Sequence, residues 1–202
     1  MIEYKDQRIG IFIDVQNLYH SAKNIYDSRV NYKELIGEIA KDKKLVRAFA
    51  YVVQSEKVLP GTEKGLETVT GKTEASFFDA LEKTGLTLRI KDIQVFQGGV
   101  KKADWDVGMA IDAVRMSQDL DIIVLMTGDG DFLPLLDYLQ LGKGKEVWVA
   151  AFSKSSNNQL KEVADRFIAI EEIPQALTKI RRKRGAKKPK SAHKPKKESS
   201  EK

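Results

Sequence analysis

The chain has 202 residues, 42% of them hydrophobic, with a formal net charge of +6 and no cysteine. That length fits one domain plus an appendage, and the missing thiols exclude disulfides, a thiolate zinc site and a cysteine nucleophile. No apolar stretch approaches the roughly 20 residues that span a bilayer, and the opening MIEYKDQR lacks the apolar run of a secretory leader, so the expectation is a soluble cytoplasmic protein with no membrane partner.

Residues 8–13 (RIGIFI) read as a short buried strand. Helices are expected over 17–27 and 31–42, the second with Asn31 as its cap. A second strand covers 47–53 (RAFAYVV). The stretch 54–72 carries Pro60, Gly61, Gly65 and Gly71 among polar residues and reads as a long loop. Over 73–84, helical spacing puts Ala75, Phe78 and Leu81 on one stripe, with Gly85 as the stop. Residues 87–96 alternate like a strand, bent or split at Asp92, and 97–102 read as a turn. A helix follows from Asp104 to Ser117, then a strand at 121–127 (DIIVLMT) and a helix over 132–141 closed by Gly142. A strand at 146–152, a helix over 157–166, a short strand at 166–170 and a last helix over 174–184 complete the chain. Alternating strands and helices predict parallel βαβ units with helices on both faces of the sheet.

Charge is divided unevenly. Residues 179–202 hold 12 Lys/Arg against 2 Asp/Glu, which leaves 23 basic and 27 acidic residues in 1–178. Residues 185–202 are rich in Lys, Pro and Ser, have no large apolar side chain and are expected to be a disordered tail. A mildly acidic body (domain 1–173) with a basic extension points to nucleic acid; a solubilising tail or an anionic membrane contact is the alternative.

Acids recur where strands give way to helices: Asp14, then Asp104 and Asp106, then Asp129 and Asp131 in TGDGDF. Strand ends of an open α/β sheet share one edge, so these carboxylates are expected to converge. Converged carboxylates repel one another and raise their own pKa values unless a cation is present. A bound Mg²⁺ or Mn²⁺ is the economical explanation, and phosphate chemistry its usual work. Each acid also has a local explanation: Asp14 and Asp104 as helix caps, Asp106 as a first-turn acid, and Asp131 or Gly130 as the cap of the next helix. Their coincidence at three edges favours the metal. Asn17 is placed to orient Asp14, a water or a phosphate oxygen. Gly128 and Gly130 read as permitting a sharp turn or a positive φ. Asp112 follows Asp106 by six residues, about 240° around a helix, and is assigned to the surface or a supporting position. His20 and His193 are the only histidines, so a paired-histidine mechanism is excluded and His20 is read as a surface or packing residue. Trp148 is expected in the core; Trp105 is expected to pack, with base stacking as the alternative.

In order along the chain, Asp14-x-x-Asn17, Lys101-x-x-Asp104-x-Asp106-Val107 and Thr127-Gly-Asp-Gly-Asp-Phe132 resemble the NYN domain of the PIN-like nuclease superfamily, in its LabA-like branch. The resemblance spans residues 8–170. It implies an α/β fold, a PIN-like three-layer α/β/α sandwich with a central, mainly parallel sheet. It also implies a Mg²⁺- or Mn²⁺-dependent ribonuclease site, with Asp14, Asp106 and Asp129 as metal ligands, Asp131 as the supporting acid and Asn17 as the polar partner. Asp104, Asp112 and Thr127 would stand behind these. Thr127 replaces a frequent Ser and keeps the hydroxyl; ADWDV stands where Gly-Val-Asp-Val is common, and the spacing to Val107 selects Asp106. RNA is the expected substrate and DNA the alternative, with Lys101, Lys102, Lys154, Arg181, Arg182, Lys183 and Arg184 as phosphate contacts. The oligomeric state is open, a homodimer included. Two rival classes are a nonenzymatic RNA-binding or regulatory module and a nucleotide-binding phosphohydrolase. The second lacks both G-x-x-x-x-G-K-[ST] and a G-x-G-x-x-G after a strand.

Overall fold

The computed structural model describes residues 6–54, 71–92, 94–95, 101–102 and 104–180, and side chains within 6–54, 75–92 and 104–180. In chain order the elements are β1 (Arg8–Asp14), α1 (Val15–Tyr26), β2 (Ser28–Val30), α2 (Tyr32–Ile39), β3 (Lys44–Gln54), α3 (Gly71–Lys83), β4 (Thr87–Asp92), β5 (Gln94–Val95) and β6 (Lys101–Lys102). They continue as α4 (Asp106–Met116), β7 (Ile122–Met126), α5 (Leu133–Asp137), β8 (Glu146–Ala151), α6 (Asn158–Val163), β9 (Arg166–Ala169) and β10 (Leu177–Lys179).

Apolar runs such as IGIFI and IIVLM are buried on both faces, the signature of strands covered on both sides. They pair into one sheet in the order β4-β3-β1-β7-β8-β9, every neighbouring pair parallel. Side chains alternate between faces, so Ile11 and Ile13 enter one core with Leu18, Leu35 and Leu81, under α1, α2 and α3. Phe12 enters the other with Tyr51, Met109, Leu136 and Leu160, under α4, α5 and α6. Each fully buried Ile or Leu contributes about 1.5–3 kcal/mol, so these two layers hold the sheet rigid. The chain steps outward from β1 to β4, then returns to build β7, β8 and β9 on the other side. The order therefore reverses between β1 and β7, and a crevice opens at the carboxyl ends of the strands there.

Several expectations need correction. The helix expected over 174–184 is a strand at Leu177–Lys179, antiparallel to β2, and neither strand is legible alone because each is three residues long and made by its partner. Lys101 and Lys102 lie in a two-residue strand paired with β5, not in a turn. The helix after β7 is composite: a 3-10 turn at Gly130–Phe132, α5, then a π turn at Tyr138–Gly142 capped by Lys143. Ala75 is exposed, and only Phe78 and Leu81 of its stripe meet the core. Asn31 caps α2 by position without a side-chain bond. Gly85 ends α3 as expected, at φ 86°. The loop expected over 54–72 falls outside the described residues between 55 and 70, as does the tail beyond Ile180 with Arg181, Arg182, Lys183 and Arg184.

Candidate active site

Asp14 ends β1 and caps α1, its Oδ1 accepting the Asn17 backbone N–H at 3.0 Å. Beside it, Thr127 follows β7 and is fully buried. The Thr127 hydroxyl donates to Asp14 Oδ2 at 3.4 Å and accepts the Asp129 N–H at 3.2 Å. Asn17 reaches across the crevice: its Oδ1 accepts the Gly128 N–H at 3.0 Å. The first motif thus holds the third in place through side chains.

The third motif folds into a 3-10 turn. Its cap is Asp129, whose Oδ1 accepts the Asp131 N–H at 3.0 Å, where the sequence pointed to Asp131 or Gly130. Neither glycine of the motif has a positive φ. Both sit in crowded places: a Cβ on Gly128 would lie 3.1 Å from Ser156 Cα, and one on Gly130 would meet the Asn157 side-chain amide, so a larger residue at either position needs its neighbour to shift. The Asn157 N–H donates to the Gly128 carbonyl at 2.9 Å, and its side chain caps α6. The sequence marked a helix over 157–166 and Lys154 before it, but not Ser156 or Asn157; their signal was a strand end followed by an Asn cap on the same edge of the sheet.

The second motif arrives on α4. Trp105, not Asp104, occupies its N-cap position, without a side-chain bond. The Trp105 Nε1–H donates to the Val52 carbonyl at 2.8 Å, and its ring meets Tyr51 edge-on at 5.5 Å. Lys91, which the sequence did not single out, lies 5.7 Å from the same ring and donates to the Asp104 carbonyl at 3.0 Å. Asp106 sits in the first turn of α4 and faces the crevice acids.

These elements bring ligand oxygens of Asp106, Asp129 and Asp131 within 4.8 Å of one another. The group differs from the triad implied by the family motif. Asp131 belongs to it, and Asp14, whose oxygens accept from the Asn17 N–H and the Thr127 hydroxyl, is outside it. Asp112 is elsewhere, accepting from Tyr51 Oη at 3.1 Å and Arg89 Nε at 3.1 Å. His20 is exposed and Trp148 is core. Lys154 leans over Tyr26, at the other end of α1 from Asp14. The side chains of Lys101 and Lys102 are outside the described set.

Electrostatics fit a cation. Burial pushes the Asp106 carboxyl upward, and Asp104, Asp14, Asp129 and Asp131 push it further. Burial and Asp129 raise Asp14 against the opposing bonds from Asn17 and Thr127. Among the described residues no Lys or Arg forms an ion pair with Asp106, Asp129 or Asp131. Three hard oxygen donors with no ion-paired Lys or Arg among the described residues would suit a hard divalent cation. A stability signature follows. The upward shifts at Asp14 and Asp106 mean that the folded chain binds these protons more tightly than the unfolded one, so metal-free stability falls as pH rises through the window between unfolded and folded pKa values. Asp121, lowered by Arg8, and Glu171, lowered against its burial by hydrogen bonds from its own N–H, Tyr26 and Ser153, have the opposite sign, but each acts only as pH falls below its ordinary carboxylate value. In EDTA these two carboxyls are therefore expected to lower the Tm as pH rises from the ordinary carboxylate value of about 3.9 to neutrality. Mn²⁺ should restore it at neutral pH, and Asp106→Asn should flatten the profile. A Tm indifferent to both pH and metal would contradict this.

An open parallel sheet with carboxylates gathered at its switch point defines an α/β domain of the acidic-site class. The NYN domain family model matches residues 8–171, and the chain belongs to this PIN-like nuclease family. It is 26% identical over 190 residues to the low amplitude and bright protein LabA of Synechococcus elongatus, covering 89% of this chain and 92% of that one. It is also similar to the crystal structure of a protein of unknown function from Vibrio parahaemolyticus, with a TM-score of 0.72 and 28% identity over 88% of this chain and 100% of the other. Among the described residues no helix is long and apolar enough to cross a membrane.

Proposed function

We propose that the chain is a divalent-metal-dependent ribonuclease whose metal is held by Asp106, Asp129 and Asp131, with Asp14 adding charge behind them. The observation that carries this reading is the approach of three carboxylate oxygens within 4.8 Å at the switch point, with no Lys or Arg ion-paired to them among the described residues. A Mg²⁺ or Mn²⁺ bound there would supply Lewis-acid polarisation of the scissile phosphate and activation of the attacking water. The protein's own part is positional. Asn17 fixes the Gly128 amide, Thr127 ties Asp129 to Asp14, and Trp105 fixes the start of the helix that delivers Asp106. Asp104 and Asp14 add negative charge that favours a dication over a monovalent one.

The purified chain, incubated with RNA and DNA in Mn²⁺ and in EDTA beside an Asp14→Asn/Asp129→Asn control, tests the reading. Metal-dependent cleavage of RNA by the wild type alone is the expected result. Equal cleavage by both proteins marks a contaminant and leaves an RNA-binding module on the same fold. The basic extension supplies charge that the acidic body lacks. Deleting 185–202 is expected to weaken RNA binding and flatten its dependence on salt, because fewer counterions are released. Titration of a labelled RNA at several salt concentrations measures both.

A further inference from the structure

Besides the acids it orders, α1 carries a second pattern. Gln16, Tyr19, His20 and Lys23 follow i, i+3, i+4, i+7 spacing, which places them on one helix face, and all four are exposed. The core side of the helix is made by Val15, Leu18, Ser21 and Ala22. Tyr19 is 44% exposed and meets the His20 ring edge-on at 5.5 Å. Lys23 Nζ lies 5.3 Å from the Tyr19 ring centroid and 3.3 Å from its hydroxyl.

The stripe starts in the turn that Asp14 caps. At 1.5 Å per residue, Lys23 is about 13 Å further along the axis. Cations gather again at the far end. Lys154 Nζ lies 5.7 Å from the Tyr26 ring, and Lys179 Nζ donates to the Tyr26 carbonyl at 2.8 Å. The Ile180 N–H donates to the Asp27 carbonyl at 3.0 Å, and the next 22 residues hold 11 Lys/Arg. A ridge about 20 Å long therefore runs from the acids, through the exposed rings of Tyr19 and His20 and the cation of Lys23, to the half-buried Tyr26 with Lys154 and Lys179 at the root of the basic segment. The cation–ring sets on the other side of the crevice are committed to the fold: Trp105 to the Val52 carbonyl, Lys91 to the Asp104 carbonyl, Arg89 to Asp112.

We propose that the exposed face of α1 is a docking surface for a single-stranded stretch of RNA leading into the crevice. Tyr19 and His20 stack on bases; Lys23 and Lys154 pair with phosphates. Aromatic rings interleaved with cations are how single strands are held without sequence preference, because every unpaired base offers a π-face. A duplex keeps those faces stacked and cannot use the ridge. The choice of nucleic acid as partner rests on the nuclease reading.

The test is fluorescence anisotropy in the full-length Asp129→Asn background in EDTA, so that binding is read without cleavage. The probes are an oligouridylate of about 12 nucleotides, within the span such sites cover, an abasic strand of equal length, and an RNA duplex. Tyr19→Ala is expected to weaken oligouridylate binding roughly 5- to 100-fold and abasic binding less than about twofold, while Tyr19→Phe keeps the affinity. Lys23→Gln should weaken both single strands and lower the salt slope by about 0.7. Unchanged oligouridylate binding by Tyr19→Ala, an equal loss on the abasic strand, or duplex binding as tight as single-strand binding overturns the proposal. An unaltered Tm confirms that these exposed substitutions leave the fold intact. If the nuclease reading fails instead, Asp129→Asn leaves cleavage unchanged while the Tyr19 effect on binding persists.

Discussion

Asp129→Asn is expected to reduce metal-dependent RNA cleavage by roughly 10²–10³-fold, the consequence of losing a few kcal/mol of charge stabilisation that a correctly held dication provides. The substitution is close to isosteric and keeps an oxygen to accept the Asp131 N–H, now at 3.0 Å, so the 3-10 turn survives. What disappears is one negative charge of a three-carboxylate group. Removing it also relieves repulsion on Asp106, so the Tm in EDTA should hold or rise while activity falls. The geometry makes a finer distinction. Asp131→Asn should cost more activity than Asp14→Asn, because Asp131 lies within the oxygen group and Asp14 behind it. Single-turnover cleavage in Mn²⁺, with Tm measured on the same samples, decides the matter. Activity and Tm falling together would mean that the residue is structural.

Trp105→Ala should damage both stability and activity. The indole is partly buried, hydrogen-bonded to the Val52 carbonyl at 2.8 Å and set edge-on against Tyr51. Gly108, one turn on, leaves it room: a Cβ there would come within 2.6 Å of the indole. Full burial of such a ring is worth about 3–5 kcal/mol. Partial exposure brings the expected loss to about 2–3 kcal/mol, or a Tm lowered by roughly 4–12 °C at this chain length. Asp106, the next residue, would then no longer be held against Asp129, and cleavage should fall with it. Trp105→Phe keeps most of the packing and loses one hydrogen bond, worth about 1 kcal/mol. If Trp105→Ala weakened RNA binding without lowering the Tm, the ring would be stacking on a base and not pinning α4.

The sequence by itself determined the sheet strands and the edge at which the acids stand. Those features are local: an apolar run long enough to be buried, followed directly by Asp14 or TGDGDF, carries both the strand and the point where it ends. The separation of Asp112 from the other acids was legible for the same reason, since six residues of helix turn it away whatever the tertiary context. Tertiary structure decided what depends on partners distant in sequence. The β2–β10 pairing joins residues nearly 150 apart, and neither segment has a periodicity to announce it. Gly128 and Gly130 looked like turn glycines, but neither has a positive φ, and both are crowded by Ser156 and Asn157 from beyond β8. Asp131 stands with Asp106 and Asp129 in the group of close oxygens, while the Asp14 oxygens are oriented by the Asn17 N–H and the Thr127 hydroxyl. A strand end fixes where a carboxylate emerges, but which way its oxygens turn is set by donors on neighbouring strands, and those are brought alongside only when the sheet closes.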